Sequence, residues 1–120
     1  MMTEQEVSLA KVYVPQIPAR KDKATGIFVP VVNVAPAAEH GEVVVLLPAN
    51  TSFYAVGDLI TQLRTRLRQY DYGAGDSIVA IGDPAVMAAV FGMLGNMFGK
   101  FYVLKWDRSI GRYSKIKVVL

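Results

Sequence analysis

The sequence predicts an α/β domain: a small open mixed sheet with parallel central strands, two helices, an N-terminal hairpin and a C-terminal antiparallel edge strand. Three observations predict it. The runs EVVVLL (Glu42–Leu47) and SIVAI (77–81) are apolar without alternation, as strands covered on both faces must be. Each is followed by a segment of helical periodicity, the order that gives parallel strands joined by helices. A third apolar run, over 101–106, meets a short turn and a returning strand at Arg112–Val119.

The first run, KVYVPQI over 11–17, is β-branched and aromatic. Pro15 lacks an amide proton, which places that strand at an edge or a bulge. A charged turn, RKDKATG over 20–26, leads to a second strand over 27–34 that Pro30 interrupts. These two strands are expected to form a hairpin arm over about 11–34, beside a core over about 42–120, within one α/β domain spanning 1–120. After EVVVLL, Val56, Leu59, Ile60, Leu63, Leu67 and Tyr70 recur at helical spacing, with Arg64 and Arg68 off the stripe. An amphipathic helix over about 55–70 follows. The glycine-rich DYGAGD over 71–76 connects to the second buried strand. Gly82-Asp83-Pro84 opens the other helix, with Asp83 as N-cap and Pro84 at the first helical position. That helix runs to about residue 98 and carries no charge on any side.

Composition narrows the function classes. The chain has 120 residues, 52% hydrophobic and 19% charged, which is far from a disordered tail. It has no cysteine, so disulfides and cysteine-based zinc sites are excluded. The longest charge-free stretch of the C-terminal half, 84–99, holds three glycines and is too short for a confident membrane span. Glu4 and Glu6 sit where a signal peptide would carry basic residues, so a soluble cytoplasmic protein is expected. Charge is uneven. Residues 1–99 carry 7 basic and 9 acidic side chains, whereas residues 100–120 carry 6 basic and 1 acidic, a net of +5.

Several pieces together carry a resemblance. They are Val12-Tyr13-Val14, Thr25-Gly26, Val29-Pro30-Val31, PAAEHGEVVVLLP over 36–48, GDPA over 82–85, KWDR over 105–108 and Arg112-Tyr113. In this combination the chain resembles, over about 11–120, a family of small uncharacterised proteins of tailed bacteriophages with GDPA and KWDR…RY signatures. One departure is the apolar helix, rich here in Met and Gly where the family pattern has mostly alanine. The resemblance implies a phage protein in the cytoplasm of an infected bacterium. It carries no activity.

The remaining constellations are read from the residues. Gly73-Ala74-Gly75 lies on the wrong side of its strand for a dinucleotide fingerprint, and Gly82-Asp83-Pro84 sets a carboxylate and a proline where phosphate would sit. At the carboxyl ends of the strands stand Asn50-Thr51-Ser52, Gly82-Asp83 and Trp106-Asp107. Asp83 and Asp107 could pair there, but one is a cap, the other a turn residue, and the first strand adds no carboxylate. His40 has no second histidine or cysteine nearby in sequence, and a solvated loop residue is expected. No catalytic residue, metal site or cofactor is therefore assigned.

Two surfaces remain. The basic C-terminal hairpin gathers Lys105, Trp106, Arg108, Arg112, Tyr113, Lys115 and Lys117, with alternation placing Tyr113, Lys115 and Lys117 on one face. Lysines and arginines around aromatics suit nucleic acid or an acidic partner, and the plain alternative is a solvated edge strand that lysines protect from unwanted pairing. On the apolar helix, Ala85, Ala88, Ala89, Gly92, Gly95 and Gly99 fall on one side, and Met87, Val90, Phe91, Leu94, Met97 and Phe98 on the other. With sequential strand order the first helix can cover the small-residue side; with a reversal it would be bare and call for a second subunit. The expected function is a non-enzymatic phage accessory protein that forms a homo-oligomer and binds a host or phage protein, with no membrane. The alternatives are a nucleic-acid-binding accessory protein using the basic hairpin and a structural virion component.

Overall fold

The computed structural model describes residues 10–48 and 56–120. Its elements are β1 (Lys11–Gln16), β2 (Ala19–Lys21), β3 (Phe28–Pro30), a 3-10 helix (Ala35–His40), β4 (Glu42–Leu47), α1 (Val56–Leu67), β5 (Ser77–Val79), α2 (Pro84–Phe98), β6 (Lys100–Asp107) and β7 (Arg112–Val119). The fold class is the expected one. Five strands form a mixed sheet in the order β4-β1-β5-β6-β7, parallel except for the antiparallel β6–β7 edge, and β2 and β3 form a separate antiparallel hairpin.

Connection handedness explains the layers. From β4 to β5 and from β5 to β6 the chain steps the same way across the sheet, so right-handed crossovers put both helices on one face. Leu59, Leu63 and Leu67 of α1 and Val86, Val90, Met93 and Leu94 of α2 accordingly share one core with Tyr13, Ile78 and Phe101. From β1 to β4 the chain steps the other way, and its connection covers the opposite face. There Ala37 of the 3-10 helix packs on Val12, Val14, Val79 and Leu104. Alternation along β1 is visible in this split, Tyr13 on one side and Val12 and Val14 on the other.

Two expectations about strands are corrected. The arm expected over 11–34 is a hairpin over 19–30, and Lys11–Gln16 lies inside the main sheet between β4 and β5. Pro15 is tolerated there because β5 is short. It pairs only with Val12 and Tyr13, and Pro15 is not among the positions paired with β4. The run EVVVLL, expected to be covered on both faces, is instead the outer strand, with Leu46 and Leu47 buried and Val45 37% exposed. Arg66 of α1 reaches over it, its Nη1 donating to Leu46 O at 2.7 Å.

The helix ends behave as local sequence dictates. Asp83 accepts from Ala85 N at 2.7 Å, Pro84 takes the first turn, and Gly99 closes α2 in the left-handed region at φ 73°. α1 buries Leu59, Leu63 and Leu67 and leaves Arg64 exposed, and beyond its end Tyr70 is buried and Arg68 exposed.

The hairpin β2–β3 stands out from this body. Every residue of 20–33 is exposed. The molecule measures 53 × 33 × 30 Å with a radius of gyration of 15.1 Å. A compact chain of this length has about 13.6 Å.

Candidate functional site

The antiparallel register of β6 and β7 decides which basic residues share a surface. Leu104 opposes Lys115, Trp106 opposes Tyr113 and Tyr102 opposes Lys117, while Lys105 opposes Ser114 on the other face. Alternation thus places Tyr113, Lys115 and Lys117 together, as the sequence indicates, on the face away from the helices. Lys105 is not with them. Arg112 is bound to Glu39 of the 3-10 helix at 2.7 Å, and Arg108 sits exposed in the turn. The seven residues do not form one basic patch, because two faces and two ends of the hairpin divide them.

Those that do share a face are largely engaged. Lys115 Nζ donates to Gly75 O at 2.6 Å and lies 4.6 Å from the centre of the Tyr102 ring. Tyr102 stacks on Tyr72 at 4.6 Å with an interplanar angle of 2°, and Lys100 Nζ lies 4.6 Å from the Tyr72 ring. Two cations thus contact a pair of stacked rings. The Tyr102 hydroxyl bond and the nearby Lys117 and Lys100 ammonium groups hold the Tyr72 phenol below its ordinary range, and the same bond raises that of Tyr102. Lys100 and Tyr72 were not among the sequence candidates; the signal for Lys100 is its place two residues before Tyr102 on the same strand face. At the other end Trp106 packs edge-on to the buried Tyr113 at 5.0 Å and stays 42% exposed.

His40, expected to be a solvated loop residue, is a tether. Its Nε2 lies 3.1 Å from Tyr113 O and 3.3 Å from Glu39 Oε1, joining the 3-10 helix to β7.

At the carboxyl end of the sheet, where open sheets usually take ligands, the crevice beside β1 is filled. β1 leaves toward one face while β4 and β5 lead to helices on the other, which makes its end the switch point. Gln16 fills it, buried and donating through Nε2 to Pro48 O at 3.0 Å. Gly82 passes so close that a Cβ there would lie 2.7 Å from Gln16 O. Asp83 is spent on its cap and Asp107 on Ser109 N and Oγ, at 2.9 and 2.6 Å. Asn50, Thr51 and Ser52 lie outside the described residues. Among the described residues no group of three or more His, Cys, Asp or Glu could hold a metal ion, and no helix is long and apolar enough to cross a membrane.

On α2 the small-residue side has two parts. Gly95 and Gly99 face the end of the chain: a Cβ at Gly95 would lie 2.7 Å from Leu120 Cδ1, and Leu120 N donates to Gly99 O at 2.8 Å. Ala89 is half-buried, whereas Ala85, Ala88 and Gly92 are exposed. The strands that flank the helices run in sequential order, with β1 inserted, and both helices share a face. Yet α1 does not cover this part of the stripe.

The arm carries an exposed apolar surface that no site above uses. Ile27, Phe28, Val29, Val31 and Val32 are 63%, 42%, 49%, 52% and 36% exposed. An apolar run of this length in water is unusual on a lone domain. The signal in the sequence is the apolar run over 27–32 itself, interrupted by Pro30 and set beside the charged turn over 20–26.

Over residues 10–120 the chain matches the model of a family described as Phage Pam3 gp32-like protein. It belongs to that family, and it is therefore a phage-family protein, as the sequence resemblance implied. No curated protein and no solved structure matches it.

Proposed function

We infer that this phage-family protein works by binding and not by catalysis, associating with itself and engaging a protein of host or phage in the infected cell's cytoplasm. One observation carries the reading: the exposed apolar run over 27–32 on the projecting arm. At about 25 cal/mol per Å² of apolar surface removed from water, such a run favours protein contact strongly. Among the described residues no helix or second sheet lies over the short strands β2 and β3, which supports a covering surface supplied by another molecule.

The test is the molar mass in solution by light scattering over a range of concentrations. The expected value is twice 13.1 kDa. A mass of 13.1 kDa at every concentration overturns self-association.

A second reading, nucleic-acid binding, is favoured by one feature. Trp106, Lys105 and Arg108 line a cleft of about 450 Å³ at the hairpin turn, and Trp106 is 42% exposed. It requires polynucleotide affinity that falls steeply with salt and weakens on Arg108→Glu with Lys105→Glu. Salt-independent or undetectable binding removes it.

A further inference from the structure

We propose that the cleft at the ends of β5 and β6 seats an unpaired base of a single-stranded nucleic acid against Trp106, while the cations around it hold the adjoining phosphates. This rests on the nucleic-acid reading and specifies the form of the strand and the seat of its base.

Trp106 is a wall shared by two clefts. One, of about 450 Å³, lies at the β6–β7 turn and includes Lys105, Asp107 and Arg108. The other, of about 420 Å³, is walled by Val79, Ala80 and Ile81 on its far side. This second cleft stands at the carboxyl ends of β5 and β6, the region where open sheets receive ligands. Gln16 fills the crevice beside β1 and leaves this neighbouring one open.

The lining selects a flat apolar ring. Aliphatic side chains, the rings of Trp106 and Tyr113, and Asn33 surround the cleft, and no carboxylate lines it. Among the described residues Trp106 has one ring contact, edge-on to Tyr113, and no cation lies over its ring. Tyr72 and Tyr102, by contrast, are stacked on each other with a lysine against each ring. Of these aromatics, Trp106 is the one that is exposed and not already stacked.

Charge selects the rest of the ligand. Lys105 and Arg108 are exposed and make no ion pair among the described residues. Asp107 accepts from Ser109 N and Oγ, so the rim keeps an excess of positive charge. On the opposite side Val32, at the root of the arm, lines the cleft, and the arm carries Arg20, Lys21 and Lys23, also without ion pairs among the described residues. A strand crossing from turn to arm therefore meets cations on both sides of one base seat. An acidic peptide would use the cations and leave the indole and the apolar wall unused. A duplex would keep its bases paired and out of the cleft.

The chain has a single tryptophan, so intrinsic fluorescence reports on the seat directly. Oligothymidylate of about 20 nucleotides, long enough to cover a single-strand site, should quench the emission saturably at low salt. Inorganic polyphosphate, and the same oligonucleotide paired with its complement, should not. Trp106→Ala should weaken single-strand binding at least about 10-fold. Lys105→Gln with Arg108→Gln should lower the slope of log affinity against log salt by about 1.4. Retained thermal unfolding verifies the fold of each variant, and the emission of the unmodified protein decides alone where a variant fails to fold. Single-strand binding that leaves the emission unchanged, or equal quenching by the duplex or by polyphosphate, overturns the base seat while binding to nucleic acid stands. No binding at any salt concentration overturns both.

Discussion

The carboxylate of Asp76 accepts the backbone amide of Lys11 at 2.8 Å, across 65 residues of sequence. Its second oxygen takes Asp71 N at 2.9 Å, and the side chain is buried. One carboxylate thus fixes the start of β1 to the loop that enters β5. Asp76→Ala leaves both amides without their partner and should cost about 2–4 kcal/mol. The midpoint of urea unfolding measures it, with the slope unchanged.

Tyr70 and Tyr13 form a contrasting pair, their rings 6.2 Å apart in the same core. The Tyr70 hydroxyl donates to Asp76 O at 2.8 Å and accepts Tyr102 N at 3.0 Å. The Tyr13 hydroxyl is buried with no hydrogen-bond partner among the described residues. Tyr70→Phe should destabilise by about 1–3 kcal/mol, and Tyr13→Phe should be neutral or stabilising by about 1 kcal/mol. Denaturation of the two variants side by side decides it.

Burial pushes the Tyr70 phenol up to about 12. The folded state therefore holds this proton more tightly than the unfolded chain, whose tyrosine titrates near 10. The associated stability is complete below pH 10 and is lost as pH rises toward 12. In a spectrophotometric titration Tyr72, whose hydroxyl is bonded by Tyr102 and lies by Lys117, should ionise first and Tyr70 last. Simultaneous titration of all tyrosines in folded protein contradicts this.

Glu39 responds at the acid end. The Arg112 guanidinium bonds its carboxylate and holds it below the usual range. Such a lowered group contributes stability above its unfolded value, and the contribution is lost as pH falls through the folded one. In Arg112→Gln the Glu39 titration, followed by NMR, should move upward. Since the pair is solvent-exposed, neutral-pH stability should change little.

Two glycines should respond oppositely to alanine. Gly82 has φ +119° and a Cβ there would meet Gln16 O at 2.7 Å, so Gly82→Ala combines backbone strain with a backbone clash. It should cost more than 2 kcal/mol, on the order of the strain and overpacking terms together. Gly92 lies inside α2 with nothing within 4 Å of the added carbon. Gly92→Ala should stabilise by about 0.5–1 kcal/mol, read from thermal unfolding.

What the sequence determined by itself was local. Asp83, Pro84 and Gly99 specify the ends of α2 because a cap bonds within its own first or last turn. The α1 stripe at Leu59, Leu63 and Leu67 is readable because periodicity places side chains on a face before any neighbour exists. Alternation likewise put Tyr113, Lys115 and Lys117 together. Only the tertiary structure decided where the strands lie: β1 inside the sheet despite Pro15, and EVVVLL at its margin. Exposure of an apolar run depends on what other segments cover it, and strand order sets that. The same holds for the basic hairpin, where Glu39 and Gly75, distant in sequence, engage Arg112 and Lys115. The arm's apolar run and the cleft at its root became visible only once the fold left both uncovered, since burial is a property of neighbours and not of residues.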